Sequence, residues 1–323
     1  MGGDDPRNPS SSGDRKEEAT RKFGQLLSQP QKRVLPSDAV AVILDAFLDS
    51  VQKHKAKRTY KWYADFAQSF LDHAPKGLTV GQLKPYHVQQ WVDSKDTWSD
   101  STRKGAITTV KTALRWACKQ GYIDSSPIAY MEKPSAGRRE VIIPHEHYDK
   151  MLANTKDECF RDVLTVAWEI GARPQELLGV EARHVDLERQ CWIFERVESK
   201  GKRVQRVVFL TEKALEISRR LMEKYPEGKL FRNTRGKPYN PIAVSCRFRT
   251  LKKKVGRKYC LYHCRHSWIN RLLKAGVDHV TVALLAGHAD PSMVARVYQH
   301  HSHDPHYLLN QLNKAQKARD AAG

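Results

Sequence analysis

Apolar positions recur at helical spacing over most of this chain, and they switch to strand-like alternation in one place. Val42, Ile43, Ala46 and Phe47 share one face of a helix predicted over Ala39–Val51, with Ser37-Asp38 placed to cap it. A basic joint follows (Lys53, Lys55, Lys57, Arg58), then a helix carrying Tyr60, Trp62, Tyr63, Phe66 and Phe70. Pro85 opens a shorter helix through Trp91, and Ser99 or Ser101 opens a long one that runs through Cys118 and stops at Gly121. The aromatic residues of these four helices sit at core spacing. The stretch Pro127–Pro134, continued by Ser135-Ala136-Gly137, reads as a linker.

Helical periodicity resumes near Pro144-His145-Glu146, and an apolar helix covers Phe160–Ile170 before a Gly171-Ala172-Arg173-Pro174 turn. The residues Cys191–Val197 and Arg203–Leu210 alternate as strands, joined across Glu198–Lys202 by a glycine-containing turn. A helix from Thr211 to Tyr225 and a turn-rich loop lead into a very basic helix. Two short helices end the pattern. One, Ser267–Lys274, carries Arg265 at its head and stops at Gly276; the other covers Val280–Leu285 and stops at Gly287-His288. The first residues, 1–36, lack periodicity and read as a disordered arm, and 313–323 as a polar tail. The expected organisation is a helical module over 37–131 and a second domain over 138–312.

Charge narrows the class of partner. The 323 residues hold 56 Lys and Arg against 36 Asp and Glu, a formal charge of +20, which favours a polyanion such as nucleic acid. Between Arg247 and Lys274 there are ten Lys or Arg and no Asp or Glu, the composition of a surface that meets phosphates. Arg103, Lys104 and Lys111 are further phosphate candidates. Hydrophobic residues make up 40% of the chain, and no apolar run is long enough to span a bilayer. With no signal-peptide core at the start, the expectation is a cytoplasmic protein that does not contact membrane. The six cysteines form no CxxC pair, which fits free thiols. Cys260, His263, Cys264 and His266 crowd one segment without zinc-knuckle spacing, so no metal is expected. Phosphate-cradling glycine loops and dinucleotide fingerprints are also absent, so no cofactor is expected.

The chemistry lies in Leu261–His300. Arginine, histidine and tyrosine on short helices suit phosphoryl transfer to a phenol: a guanidinium binds two phosphate oxygens, an imidazole a third, and a tyrosine oxygen attacks phosphorus. Arg265-His266-Ser267, Leu285-Ala286-Gly287-His288 and Tyr298-Gln299-His300 together resemble the C-terminal signature of the tyrosine recombinase (phage integrase) family. Gly171-Ala172-Arg173, followed by Glu176, resembles that family's first arginine motif.

The resemblance implies a mainly helical (α+β) fold, with a small sheet in the catalytic domain and a core-binding module preceding it, the two clamping duplex DNA. It implies a site-specific recombinase acting through a 3′-phosphotyrosyl intermediate, as a homotetramer on paired double-stranded DNA sites. The implied catalytic residues are Arg173, Lys200, Arg265, His288 and Tyr298, with Glu176 bracing or orienting Arg173. Lys202 is the reserve for Lys200, and Tyr307 for Tyr298. One departure keeps a second reading open, that of a DNA-binding protein which retains the fold without cutting. The family has a histidine three residues before its second arginine, where this chain has Tyr262. His263 is one residue on, a rotation of about 100° around a helix. Either Tyr262 or a shifted His263 stands in.

Overall fold

A computed structural model describes residues 38–135, 137, 141–198 and 205–288, with isolated positions at 290, 292, 309 and 313. The chain divides into two compact units between Arg138 and Arg139.

The first unit holds four helices among its described residues: α1 (Val40–His54), α2 (Lys57–His73), α3 (Pro85–Asp93) and α4 (Asp100–Lys119). Ile43, Leu44, Phe47, Phe70, Trp91 and Leu114 fill a core with no exposed member. The α1 start differs from expectation. Its N-cap is Ala39, with no side-chain cap; instead the Val40 N–H donates to the Leu78 carbonyl at 2.9 Å, and Ala39 bridges Thr79. A loop backbone thus replaces the expected Ser-Asp cap. Ser99, rather than Ser101, caps α4, its Oγ accepting from the Thr102 N–H. The basic joint shrinks to Lys55-Ala56, because Lys53 belongs to α1 and Lys57 and Arg58 open α2. Most aromatic residues are core as expected, but Trp62 and Tyr86 are 40% and 55% exposed. Two of the phosphate candidates are already engaged by protein. Arg103 bonds the Trp98 and Lys95 carbonyls and Asp93, and the Lys111 ammonium donates to the Met131 carbonyl at 2.5 Å.

The second unit is helical around a small sheet. Its described elements are α5 (His145–Ala153), α6 (Glu158–Ile170), α7 (Pro174–Gly179), a 3-10 turn (Ala182–His184), β1 (Val185–Asp186), β2 (Cys191–Phe194), β3 (Arg206–Phe209), α8 (Glu212–Lys224), α9 (Pro241–Val255), α10 (Leu261–Lys274) and α11 (His279–Ala286). Helix α6 is the hub. Val163, Leu164, Val166, Ala167 and Ile170 are buried, and it packs against α5, α7, α8 and α10. An apolar helix surrounded this way is stabilised mainly by burial, so truncating Leu164 to Ala would cost about 2–5 kcal/mol.

The sheet is antiparallel in the order β1-β2-β3, with Trp192 opposite Val208 and Phe194 opposite Arg206. Trp192 is fully buried, and its indole N–H finds the Ser218 hydroxyl at 3.2 Å. The first expected strand is shorter than its apolar alternation, ending at Phe194 because Glu195–Glu198 turns. The two-residue β1 was not anticipated; it is too short to leave a periodic trace. Helix α10 also starts earlier than expected, at Leu261, so Arg265 lies in its second turn and not at its head. None of the described helices is long and apolar enough to cross a membrane. Residues 1–36, expected as a disordered arm, most of the tail, and the expected turn with Lys200 and Lys202 lie outside the described residues.

Candidate active site

The site is built on two helix ends that glycine closes. Helix α6 stops at Gly171, whose φ of 57° is left-handed and whose missing Cβ leaves room for the Trp268 ring. That turn delivers Arg173 to the N-cap of α7, where Pro174 fixes the first helical residue. Glu176, one turn on, folds back over it. Its Oε2 accepts from the Arg173 backbone N–H at 2.9 Å and its Oε1 from Arg173 Nη1 at 2.6 Å. The same Oε1 accepts from Arg206 Nε at 3.3 Å.

Helix α11 stops at Gly287, φ 65°, and its last carbonyls converge on three arginines. Leu285 O accepts from Arg206 Nη1 at 3.0 Å, Ala286 O from Arg265 Nη2 at 2.5 Å, and Gly287 O from Arg173 Nη2. A helix C-terminus offers unpaired carbonyls and partial negative charge, so it suits cations. Arg265 is 1% exposed and also donates from Nη1 to the Gly171 carbonyl at 2.9 Å, which ties the two glycine turns together.

His288 follows directly. Its Nε2 lies 2.9 Å from Arg265 Nη2, which has protons to give, so Nε2 accepts and the ring proton sits on Nδ1. Nδ1 is buried without a hydrogen-bond partner among the described residues. Burial first, then the charges of Arg265, Arg173 and Arg206, push the imidazole down to about 4. His288 is therefore neutral at neutral pH. Burial also lowers Arg265, to about 10, with Arg173 adding to the effect. Glu176 stays ionised: burial pushes it up, but Arg206 and the bonds from Arg173 outweigh that and hold it below the usual carboxylate range. Three guanidiniums and one carboxylate leave a net positive, water-poor cluster, which is what a phosphoryl group needs in order to bind and gain charge.

Of the residues expected from sequence, Arg173, Glu176, Arg265 and His288 come together here. Lys200 and Tyr298, with their reserves Lys202 and Tyr307, lie outside the described residues. Ser267 has a different job: its Oγ accepts from the Ile143 N–H at 2.7 Å and donates to the His263 carbonyl, fastening the start of the unit to α10. His263 faces the helix start, its Nδ1 accepting from the Cys260 N–H at 3.3 Å, while Tyr262 sets its ring edge-on to His266 at 4.8 Å. Arg206 was not singled out from sequence. The signal was there, since strand alternation puts Arg206 on the same inward face as Val208, where a charged residue is out of place.

Comparison with known proteins fits this geometry. The phage integrase family model matches residues 142–304, more than half of the chain. The chain belongs to the phage integrase family, and so to the tyrosine-type DNA recombinases. Among curated relatives, it is 23% identical over 296 residues to a XerC-like tyrosine recombinase of Caldanaerobacter subterraneus subsp. tengcongensis, covering 77% of this chain and 76% of that one. It is 28% identical over 262 residues to the tyrosine recombinase XerA of Saccharolobus solfataricus, covering 79% and 78%. Among solved structures, the Tn1549 transposon integrase in complex with transposon right end DNA is similar in fold, with a TM-score of 0.66 at 15% identity over 79% of this chain and 94% of that one. A lambda integrase tetramer bound to a Holliday junction matches at a TM-score of 0.66 and 16% identity, covering 87% and 88%.

Proposed function

We propose that this chain cuts and rejoins duplex DNA at specific sites through a 3′-phosphotyrosyl intermediate. The observation that carries the reading is the convergence of Arg173, Arg265 and His288 at the end of α11, held by Glu176 and two glycine turns. The Tyr298 hydroxyl gives up its proton to water or a neighbouring base as its oxygen attacks the scissile phosphorus; the 3′-phosphate becomes its ester, and the 5′-oxygen leaves with a proton from Lys200. As the non-bridging oxygens gain charge, Arg173 and Arg265 turn hydrogen bonds toward them, and His288 offers the Nδ1 proton that has no partner among the described residues. The ester conserves the bond energy, so a second 5′-hydroxyl reverses the step without an external energy source. Residues 138–312 would carry this chemistry, with 37–131 gripping DNA. Four copies would act on two paired duplexes, in line with the lambda integrase tetramer on a Holliday junction.

The test starts from duplexes recovered from a randomised pool by binding to the full chain, resynthesised with one nick scanned across the bound site. A nick lets the short 5′ fragment diffuse away and traps the covalent adduct, which resists denaturant. The wild-type chain should form it, and Tyr298→Phe should bind equally and form none. Loss in Tyr307→Phe instead would move the nucleophile. No adduct from the wild type at any nick position would favour the non-cutting reading. The near-complete burial of Arg265, with donors already given to Gly171 and Ala286, is the observation on that side.

A further inference from the structure

The proposed chemistry leaves one buried cation without a role. Arg206 is 7% exposed, on a strand, facing inward beside Val208. Its guanidinium makes directed bonds to two parts of the site: Nε to Glu176 on α7 at 3.3 Å, and Nη1 to Leu285 at the end of α11 at 3.0 Å. Nη1 also reaches the carbonyl of the adjacent Val207 at 2.7 Å, which anchors the group to its own strand. Gly287 makes room for it. A Cβ at that position would sit 2.6 Å from the centre of the guanidinium. Among the described residues, Arg206 Nη2 is buried with no hydrogen-bond partner.

We infer that Arg206 is a positioning residue for strand cleavage, a clasp from β3 that holds the Glu176–Arg173 pair and the Gly287-His288 turn at one phosphate; the inference rests on the recombinase reading above. Stability alone is a poor reason for this group. Burying a guanidinium beside one carboxylate costs desolvation that the pairing only about offsets, and an apolar side chain of the same size would pack as well. Geometry is the better reason. Arg173 takes its direction from Glu176, and Arg206 holds Glu176 at the same Oε1. The carbonyl of Leu285 lies just before the two that Arg265 and Arg173 use, so Arg206 sets the height of the turn carrying His288. Lysine retains the charge but not the fork, and cannot make the Glu176 and Leu285 bonds at once in these directions.

The role has a pH signature that a packing role lacks. Glu176 is faced by Arg173 from α7, Arg206 from β3 and Arg265 from α10, with His288 beyond the end of α11. Burial works to protonate it, and Arg206 is the largest influence opposing that. Without Arg206 the Glu176 carboxyl rises, and on mild acidification Arg173 loses its anionic partner.

The experiment compares single-turnover adduct formation at saturating nicked duplex for the full-length wild type, Arg206→Lys, Arg206→Met and Gly287→Ala. Each Arg206 variant should lose about a hundredfold in rate, as a misplaced catalytic group does, with DNA affinity within about twofold of wild type. The Arg206→Met rate relative to wild type should fall further as the pH is lowered toward the range where carboxylates titrate. Gly287→Ala pushes the guanidinium away from the other side, so Gly287→Ala with Arg206→Lys should lose little more than either alone. Arg220→Met, which removes an exposed arginine paired with Asp162, should cleave as wild type does. If Arg206→Met does not fold, the Arg206→Lys and Gly287→Ala rates decide the matter. Folded Arg206 variants cleaving at the wild-type rate would overturn the inference, as would a loss independent of pH that follows DNA affinity. A wild type that forms no adduct fails earlier, and takes the recombinase reading with it.

Discussion

The interiors of the two units are made differently. Among the described residues, the unit of α1–α4 buries one polar side chain, Thr109, which bonds the Gly105 carbonyl of its own helix. The unit of α5–α11 buries His184, Arg206, Arg265, Ser267 and Asn270 along with several hydroxyls. The first interior is consistent at every level, with apolar faces at helical spacing meeting apolar faces. The second breaks that consistency around the end of α11, where cations outnumber the carboxylate that pairs with them. Uncompensated buried charge is costly, and it is expected where a ligand supplies the missing charge. The comparison separates residues that hold a fold from residues whose excess charge, on the proposed function, a bound phosphate offsets.

Each unit has an arginine fastened to backbone carbonyls, which makes the sharpest test. Arg265 bonds Gly171 and Ala286 beside His288; Arg103 bonds Trp98 and Lys95 beside Asp93. Arg265→Met should lower single-turnover adduct formation by about a thousandfold, as removal of a transition-state donor does. Arg103→Met should leave that rate unchanged at saturating DNA and cost about 1 kcal/mol of stability. Equal losses from the two would erase the distinction.

A pair of glycines extends it to the backbone. Gly171 and Gly121 both have left-handed φ, 57° and 76°. At Gly121 nothing lies within 4 Å of an added Cβ, so Ala there costs only left-handed strain, about 1 kcal/mol. At Gly171 the Cβ would enter the Trp268 ring, so overpacking adds to strain and Gly171→Ala should cost about 3 kcal/mol. Chemical denaturation midpoints of the two variants measure the difference.

How far each interior can be read from the chain follows the same division. Helical spacing places α1–α4 and α6 within a few residues, because apolar periodicity is what their packing uses. The α1 cap is not legible, since the Val40 N–H is satisfied by Leu78, remote in sequence. Arg173, Arg265 and His288 are legible only as motifs; nothing in their spacing says that the two arginines meet at successive carbonyls with His288 beside them. Arg206 needs the register of β3 against β2, which pairs it with Phe194 and turns it inward. In the sequence, one inward arginine is concealed among the other basic residues of this stretch.

Acid should act on the second interior in a defined window. His266 and His288 are both pushed down to about 4, chiefly by burial, against about 6.5 in an unfolded chain. With folded values depressed, the unfolded state binds more protons between these limits. The stability each neutral ring contributes is therefore complete above about 6.5 and is lost as pH falls toward 4. His288→Gln cannot take up that proton, so its thermal midpoint should fall less than that of the wild type between about pH 7 and about pH 5. Parallel falls in the two proteins would mean that His288 takes up its proton over the same pH range in the fold as in the unfolded chain.

The smallest expected effects concern the place where the family has a histidine. His263 lies at the helix start, its Nδ1 accepting from the Cys260 N–H, and burial lowers its affinity for a proton. That arrangement commits the ring to capping, a role worth about 1 kcal/mol. Tyr262 is 46% exposed, edge-on to His266 and one turn before Arg265, so its side chain can reach a phosphate that Arg265 binds. Helix α10 is regular from Leu261 onward, so no local shift exchanges the two positions. His263→Ala should then cost stability but alter the single-turnover rate by less than about twofold. Tyr262→His should retain or raise that rate, because an imidazole takes up the nucleophile's proton at neutral pH more readily than a phenol does. If His263→Ala instead lost about a hundredfold, as expected for a proton-transfer group, His263 would be the working imidazole and the α10 start would have to rearrange on binding DNA.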